Sequence, residues 1–212
     1  MKKEFEPLKL ISIDELKKAF EDYAPENADK FHASSAKIAD KLLDEEIRKI
    51  KNKEREIIFM CGGSASGKSE FIEKFGLLLE DFDGIVFDST FSTIKGAEIK
   101  IKKIIKSGNI PVLYLVIPDN FKRAFKAFHR RERKIPEKRF YETHSGSRKA
   151  ALWVIENYPN IEVRIFENNF DASNKKEDEL SYCEILFKNK EEKLDYLRQI
   201  QYSVQEIKNV IN

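Results

Sequence analysis

A chain of 212 residues is long enough to bury a substantial core in one domain with some elaborations. Its 39 basic and 37 acidic residues leave a formal net charge of +2, which favours neither nucleic acid nor a membrane surface as a partner. The two cysteines have no metal-ligand spacing, and no apolar run approaches the roughly 20 residues of a membrane-spanning helix. The N-terminus also lacks the apolar stretch of a signal peptide, so we expect a cytoplasmic protein with no membrane partner.

Two amphipathic helices are predicted before the first apolar strand. Ser12 and Glu15 form a capping-box pattern at the start of the first helix. A second helix begins near Ser34 or Ser35 and carries apolar residues at helical spacing. Because both helices precede the first strand, we expect residues 1–54 to form a helical extension that docks on the core from outside.

The most specific motif of the chain follows this extension. Residues 57–61 are an apolar run with β-branched residues, which predicts a buried parallel strand. Residues 62–69, here called the phosphate loop, match the pattern G-x-x-x-x-G-K-[ST] in full, and apolar residues at helical spacing follow them. Glycines permit positive φ angles and close approach of the backbone, so that successive N–H groups can bind an anion at a helix N-terminus. The pattern predicts nucleotide contacts from Gly62, Gly63, Ser64, Ala65, Ser66, Gly67, Lys68 and Ser69.

Two side chains of the phosphate loop have specific predicted roles. Lys68 reaches the β- and γ-phosphates as a point charge, and the Ser69 hydroxyl is placed to bind Mg²⁺. The alternative is a Gly/Ser-rich turn that holds no nucleotide, but a strand before the loop and a helix after it favour the functional interpretation. We therefore predict that ATP and Mg²⁺ bind here, with Lys68 as a catalytic residue and Ser69 as a metal ligand.

A second predicted strand, residues 84–88, ends on a carboxylate. An acidic residue in this place can hold Mg²⁺ or accept the proton of an attacking hydroxyl. We predict both roles for Asp88; the alternative is that it caps the turn at residues 88–90. Asp81 and Asp83, in the turn before the strand, are weaker candidates for the same work.

Residues 121–149 are strongly basic, with eleven basic and three acidic side chains. In phosphoryl transfer, arginines on a lid stabilise charge on the moving γ-phosphoryl group; a solvated helix face and a nucleic-acid patch are the alternatives. Residues three apart share a helix face, whereas neighbours point about 100° apart. Arg130 and Arg133 are therefore the predicted catalytic pair. Arg131, which points elsewhere unless the helix ends before Pro136, is assigned to nucleotide binding.

From about residue 31 to residue 169, the chain resembles the zeta-toxin family of P-loop kinases. The resemblance rests on the phosphate loop, the arginine-rich helix and five weaker pieces in the family's order. These are residues 31–42, residues 87–90, a helix that ends at residues 106–108, a strand at residues 112–117, and residues 163–169. Known members use ATP and Mg²⁺ to phosphorylate a small hydroxylated substrate, notably UDP-N-acetylglucosamine, and some are toxins. Chloramphenicol phosphotransferase is related in fold. The resemblance implies that Asn168 lies at the nucleotide and that a protein antitoxin is a candidate partner.

The resemblance leaves the acceptor and the catalytic base open. Family members usually carry a further strand and a loop with the catalytic aspartate after the phosphate loop, but only residues 70–84 lie there in this chain. Phe91 also stands near where a substrate-binding arginine is common. An ATP-dependent kinase acting on a small-molecule hydroxyl is the leading hypothesis. An ATP-binding regulatory or degenerate module and a nucleic-acid hydroxyl kinase are the alternatives, with nucleic acid the less favoured partner.

Strands that alternate with helices predict the fold and its parts. Beyond the second strand, we expect helices over residues 97–107 and 119–133, a helix that begins after Pro136 and ends near residue 158, and a helix over residues 191–211. We expect strands over residues 112–117, 161–166 and 182–187. This order predicts an α/β fold of the P-loop NTPase type, with a doubly wound, mostly parallel sheet, flanking helices and a C-terminal helix. We divide the chain into a helical extension (1–54), a kinase core with a basic lid around residues 121–149 (55–170) and a C-terminal extension packed on the core (171–212).

Overall fold

The computed structural model describes residues 10–50, 54–75, 84–169 and 181–212. These residues form an α/β fold around a mostly parallel sheet, as predicted. The described part of the sheet has six strands in the order β1-β3-β2-β4-β5-β6, and only the pair β5–β6 is antiparallel. The strands are β1 (Leu10–Ser12), β2 (Glu56–Cys61), β3 (Ile85–Asp88), β4 (Ile110–Pro118), β5 (Glu162–Asn168) and β6 (Tyr182–Glu184).

Helices lie between and after these strands. They are α1 (Ile13–Lys17), α2 (His32–Lys49), α3 (Lys68–Lys74), α4 (Ile94–Lys106), α5 (Phe121–Arg130), α6 (Glu137–Asn157), α7 (Lys190–Gln199) and α8 (Val204–Ile211), with a short 3-10 helix at Pro25–Asn27. None of the helices in the described ranges is both long and apolar enough to cross a membrane. Residues 170–180 lie outside the described residues, as do Asp81 and Asp83.

The central strands are apolar on both faces because both faces are covered. In β2, Ile57, Phe59 and Cys61 pack into a large core with residues of α2, α4, α6 and α7. Ile58 and Met60 point to the opposite face, where the described cover is α3. Two-sided burial of this kind is why the strand reads as a continuous apolar run in the sequence.

The N-terminal segment contributes a strand that the sequence did not predict. Leu10–Ser12 pairs in parallel with β3, with Ser12 opposite Asp88. The Ser12 side chain accepts a hydrogen bond from the Glu15 N–H, so Ser12 caps α1 as predicted, although this helix has only five residues. The Glu15 carboxylate accepts from Lys18 Nζ, and the second hydrogen bond of the predicted capping box is absent from the described residues. A strand of three residues is too short to show the alternation of apolar and polar residues that identifies strands. The sequence therefore predicts only helices in the extension.

The helix predicted over residues 119–133 is shorter than expected. Its cap is Asn120 and not Asp119, because the Asn120 Oδ1 accepts the N–H groups of Lys122 and Arg123. The helix ends at Arg130, and Arg131 has an extended backbone. The predicted terminal helix is two helices, α7 and α8, and the second begins with a capping box at Ser203.

Candidate functional site

A cavity of about 290 Å³ opens at the carboxyl ends of β2 and β3. Its lining comes from distant parts of the chain: α1, the phosphate loop, the turn after β3, the connection after α5, and α6. The residues that matter below are Asp14, Lys17, Ser64, Lys68, Ser69, Asp88, Arg131, Arg133 and Thr143. Six of the thirteen residues that the sequence predicted for function therefore line one cavity: Ser64, Lys68, Ser69, Asp88, Arg131 and Arg133.

The glycines of the phosphate loop are required by the protein packed beneath it. Gly62 and Gly67 have φ angles of +147° and +91°, which only glycine adopts easily. A Cβ atom on Gly62 would lie 2.3 Å from the Val116 carbonyl oxygen, and one on Gly67 would lie 2.0 Å from the Asn168 Nδ2. Ala65, with φ of +63°, is also left-handed. The loop is thus pressed onto β4 and β5, independently of any ligand.

Side chains from β5 and β6 hold the loop from below. Asn168 is buried, and its Nδ2 donates to the Ser66 carbonyl oxygen over 3.1 Å. The Tyr182 hydroxyl donates to the Gly67 carbonyl oxygen over 2.7 Å, and burial raises the pKa of Tyr182, which keeps this donor protonated. Asn168 therefore lies at the predicted nucleotide site, in contact with the loop itself. No sequence motif marks Tyr182, because its role depends on a strand at the sheet edge.

The upper side of the loop has amide groups without acceptors. The Ser66 N–H donates to the Gly63 carbonyl oxygen and the Ser64 N–H to the Thr143 hydroxyl. In contrast, no hydrogen bond among the described residues uses the N–H groups of Gly67, Lys68 or Ser69. The first N–H groups of a helix have no partner within it, so these three amides are available to an anion.

Lys68 lies across its own loop. Its Nζ donates to the carbonyl oxygens of Gly62 (2.9 Å) and Gly63 (3.1 Å). Burial lowers the pKa of Lys68, and the nearby Asp88 opposes this effect. Ser69 is exposed at the same cavity. The ammonium group can therefore exchange carbonyl oxygens for phosphate oxygens with little movement of the loop.

Asp88 ends β3 with its carboxylate in the cavity wall. The residue is only 8% exposed, and the Ser12 hydroxyl of β1 donates to its Oδ2 over 3.2 Å. Burial raises the pKa of Asp88, while Lys68 and the Ser12 hydroxyl lower it. Asp88 is thus a buried carboxylate with an accessible oxygen beside the phosphate loop.

The described residues contain no cluster of three or more His, Cys, Asp or Glu side chains arranged for a metal ion. Mg²⁺ in phosphate-loop enzymes is held by one or two protein oxygens together with substrate phosphates and water. Ser69 and Asp88, both in the cavity wall, fit this limited donor set. Their oxygens suit an ion that binds together with a nucleotide.

The three arginines are arranged differently from the prediction. Arg130, the last residue of α5, is exposed and does not line the cavity, whereas Arg131 and Arg133 do. The expectation that Arg130 and Arg133 share a helix face is wrong because the helix ends before Arg133. Arg131 forms no ion pair within the described chain, and burial, together with Arg133, lowers its pKa. Arg131 is therefore the arginine most available to a phosphate.

Arg133 is held by an aspartate that the sequence did not reveal. The Asp14 carboxylate accepts from Arg133 Nη1 over 2.5 Å and from Lys17 Nζ over 2.9 Å. Burial alone would raise the pKa of Asp14, but these two cations hold it well below its usual range. Asp14 follows β1 directly, so the short edge strand is what brings it to the cavity.

Comparison with models of known protein families gives no match, and comparison with curated proteins finds no similar sequence. The functional interpretation therefore depends on the geometry of the cavity and on the motif that forms its floor.

Proposed function

We propose that the chain is an ATP-dependent phosphotransferase that moves the γ-phosphoryl group of ATP to a hydroxyl of a small molecule. One observation carries this proposal: a single cavity contains Lys68 of the phosphate loop, the buried carboxylate of Asp88 and the guanidinium of Arg131, which has no ion-pair partner among the described residues. A phosphate-binding cation, a base and a charge-stabilising arginine are the groups that phosphoryl transfer needs. The reaction is the one that the resemblance to zeta-toxin kinases implies.

The fold supports a nucleotide at this edge of the sheet. The phosphate loop follows β2, whose neighbours β3 and β4 lie on opposite sides of it. In open α/β sheets, ligands bind where successive connections leave a strand in opposite directions. We infer a P-loop NTPase fold from this position, from the loop sequence and from the N–H groups of residues 67–69, which have no acceptor among the residues that the structure describes.

The residues of the chain divide the work of binding between them. The N–H groups of residues 67–69 and the Lys68 ammonium would bind the β- and γ-phosphates. Ser69 and Asp88 are the residues that would hold Mg²⁺, which neutralises phosphate charge when it is bound. Asn168 would act from beneath, by fixing the Ser66 carbonyl.

The transfer itself would use Asp88 and the arginines. The acceptor oxygen forms a bond to the γ-phosphorus as the bond to the β–γ bridging oxygen breaks and ADP leaves, and the hydroxyl proton passes to the Asp88 carboxylate. Burial raises the pKa of Asp88 and so makes it a stronger base than an exposed aspartate. Arg131, with Arg133 beside it, would stabilise charge on the transferring group.

The test is a transfer assay with γ-labelled ATP, Mg²⁺ and a panel of hydroxylated small molecules that includes UDP-N-acetylglucosamine. We expect label in at least one acceptor with wild type and labelling that is slower by at least about 10²-fold with Asp88→Asn. Binding of ATP without transfer to any acceptor would favour a regulatory ATP-binding module. Label in an oligonucleotide, with salt-dependent binding, would favour a nucleic-acid hydroxyl kinase.

A further inference from the structure

A buried histidine beneath the phosphate loop has no part in the proposed chemistry. His144 of α6 is fully buried, and its ring lies directly under Gly63. A Cβ atom on Gly63 would lie 2.2 Å from His144 Cγ. Glycine at this loop position and the imidazole below it are therefore complementary, and neither can be enlarged without moving the other.

The hydrogen bonds of the His144 ring define which nitrogen carries the proton. Nε2 lies 2.9 Å from the Ser64 carbonyl oxygen, which can only accept, so Nε2 must be the donor. Nδ1 lies 3.5 Å from Arg148 Nη1, which can only donate, so Nδ1 is the acceptor. Both contacts therefore require the same tautomer, with the proton on Nε2.

The neighbouring residue of α6 holds the other side of the same loop residue. The Thr143 hydroxyl accepts from the Ser64 N–H over 3.0 Å. One turn of α6 therefore binds both the N–H and the C=O of Ser64. These contacts fix the backbone next to the stretch that the proposed nucleotide phosphates would occupy.

Arg148 has an unusual setting for an arginine. It is 2% exposed, its Nη1 donates to the His144 carbonyl oxygen over 2.9 Å, and its guanidinium lies over the Phe121 ring. Its Nε is buried without a hydrogen-bond partner, and no carboxylate of the described chain pairs with it. A buried cation without a counter-ion is costly, so its contact with His144 is a reason for its presence.

We propose that His144 is a positioning residue that fixes the phosphate loop through its Nε2–H, and that Arg148 selects this tautomer by donating to Nδ1. The proposal rests on the proposed function in one respect, that phosphates of a nucleotide occupy the loop. His144 does not touch the reacting atoms; it acts through the Ser64 backbone.

The charges around the ring keep it neutral. Burial lowers the pKa of His144 well below its usual range, and Arg148 adds to this effect. The other charged groups that act on the ring, Lys68 at the start of α3 and Arg131 after α5, are also cations. The rings of Phe121 and Phe140 pack against it and carry no charge. The support under the loop should therefore not change with pH in the physiological range.

The first part of the test is nitrogen NMR of the His144 ring. We expect a proton on Nε2 and none on Nδ1, without titration between about pH 5 and 8. In Arg148→Met, the fraction of rings with the proton on Nδ1 should rise. A proton on Nδ1 in wild type, or a titration near the usual histidine pKa, would overturn the role of His144. An unchanged tautomer in Arg148→Met would overturn the role of Arg148.

The second part compares two variants for affinity toward ATP·Mg²⁺ and toward inorganic triphosphate. Gln has the same number of bonds between Cα and its terminal nitrogen as His has to Nε2, so His144→Gln keeps a donor for Ser64. His144→Leu removes this donor and leaves the half-buried Ser64 carbonyl without it. We expect roughly tenfold to hundredfold weaker binding in His144→Leu and a change within about threefold in His144→Gln. His129→Gln and His129→Leu, on the exposed side of α5, are the matched controls.

The outcomes separate the two proposals. If wild type binds neither ligand, the proposed function is wrong and the positioning role falls with it. If wild type binds and both His144 variants bind as tightly, or both lose the same affinity, only the positioning role is wrong. If His144→Leu does not fold, His144→Gln and the NMR measurement on wild type decide.

Discussion

The two sides of the cavity are held in place by different kinds of interaction. The phosphate loop is supported by groups without net charge: Thr143, His144, Asn168 and Tyr182. The opposite side, at residues 131–133, is held by an ion pair from Arg133 to Asp14 of the N-terminal segment.

The difference indicates how each side responds to an anion. Neutral hydrogen-bond partners add no negative charge, so the positive electrostatic potential at the loop amides is retained. These hydrogen bonds also need not break when phosphate binds. The Asp14–Arg133–Lys17 group, in contrast, shares one carboxylate between two cations. In the proposed reaction, a phosphoryl group would compete with Asp14 for these cations. The loop side is therefore preorganised, and the arginine side can exchange partners.

The largest effect should come from the loop side. Lys68→Ala removes the ammonium but not the neutral supports, so the variant should fold and lose both ATP binding and transfer. At a ligand concentration of 100 times Kd, ATP·Mg²⁺ should stabilise wild type by about 2.7 kcal/mol. The rise in Tm that this stabilisation causes should be absent in the variant. Lys126→Ala, on the exposed face of α5, is the matched control. Equal thermal shifts for Lys68→Ala and wild type would contradict the assignment.

Asp88→Asn should separate binding from chemistry. The amide has nearly the same shape but cannot accept the acceptor's proton, so transfer should fall by about 10²–10⁴-fold while ATP affinity changes little. Calorimetric Kd and the transfer rate at saturating Mg²⁺ measure the two quantities. If transfer survives within a few-fold, Asp88 is only the cap of its turn.

The pH profile sharpens the same assignment. Only the ionised Asp88 can act as a base, so kcat/KM should rise with pH through the pKa of this group. Because burial raises that pKa above the ordinary 3.8, the acidic limb of the profile should lie at higher pH than for an exposed aspartate. The limb should disappear from the residual activity of Asp88→Asn. Its persistence there would assign the titration to another group.

The arginines offer an internal comparison. Arg131→Ala should lower kcat by about 10²–10³-fold with little change in nucleotide Kd, because its guanidinium lines the cavity and forms no ion pair in the described part of the chain. Arg130→Ala, one residue away but outside the cavity, is the control and should have near-normal kcat. A larger loss in Arg130→Ala than in Arg131→Ala would restore the helix-face hypothesis.

The smallest effect is expected at the ion pair. Asp14→Asn removes the carboxylate shared by Arg133 and Lys17, and because Asp14 is partly exposed, solvent limits the cost to about 1 kcal/mol at neutral pH. The folded-state pKa of Asp14 is depressed, so its contribution is present above the unfolded-state pKa and is lost as pH falls below about 4. Urea unfolding of both proteins should therefore differ at pH 7 and converge in acid. A constant difference would mean that the charge is not involved.

The features that could be predicted from the sequence are those that depend on local interactions. The phosphate loop could be predicted because each of its residue types meets a local requirement of phosphate binding. Strands β2 and β3 could be predicted because buried strands are apolar throughout. Asp88 followed from its place at a strand end. The Lys68 and Asp88 positions needed no knowledge of distant contacts.

The remaining parts depended on tertiary structure. The edge strand β1 is too short to show a period, so Asp14 could not be placed near Arg133. Pro136 indicates that a helix ends before it, but not that the helix ends at Arg130 and that Arg131 has an extended backbone. For this reason the sequence predicts Arg130 at the site, whereas the structure has Arg131 there. His144 carried no motif, since its role is set by a glycine 81 residues earlier in the chain.

The central proposal is that Lys68, Asp88 and Arg131, from three separate parts of the chain, act together to transfer a phosphoryl group. Its most direct test is one assay of label transfer from γ-labelled ATP, run on wild type, Lys68→Ala, Asp88→Asn, Arg131→Ala and Arg130→Ala under the same conditions. The account predicts transfer by wild type and Arg130→Ala and a loss of at least about 10²-fold in each of the other three. Transfer at the wild-type rate by any of those three, or a loss confined to Arg130→Ala, would contradict it.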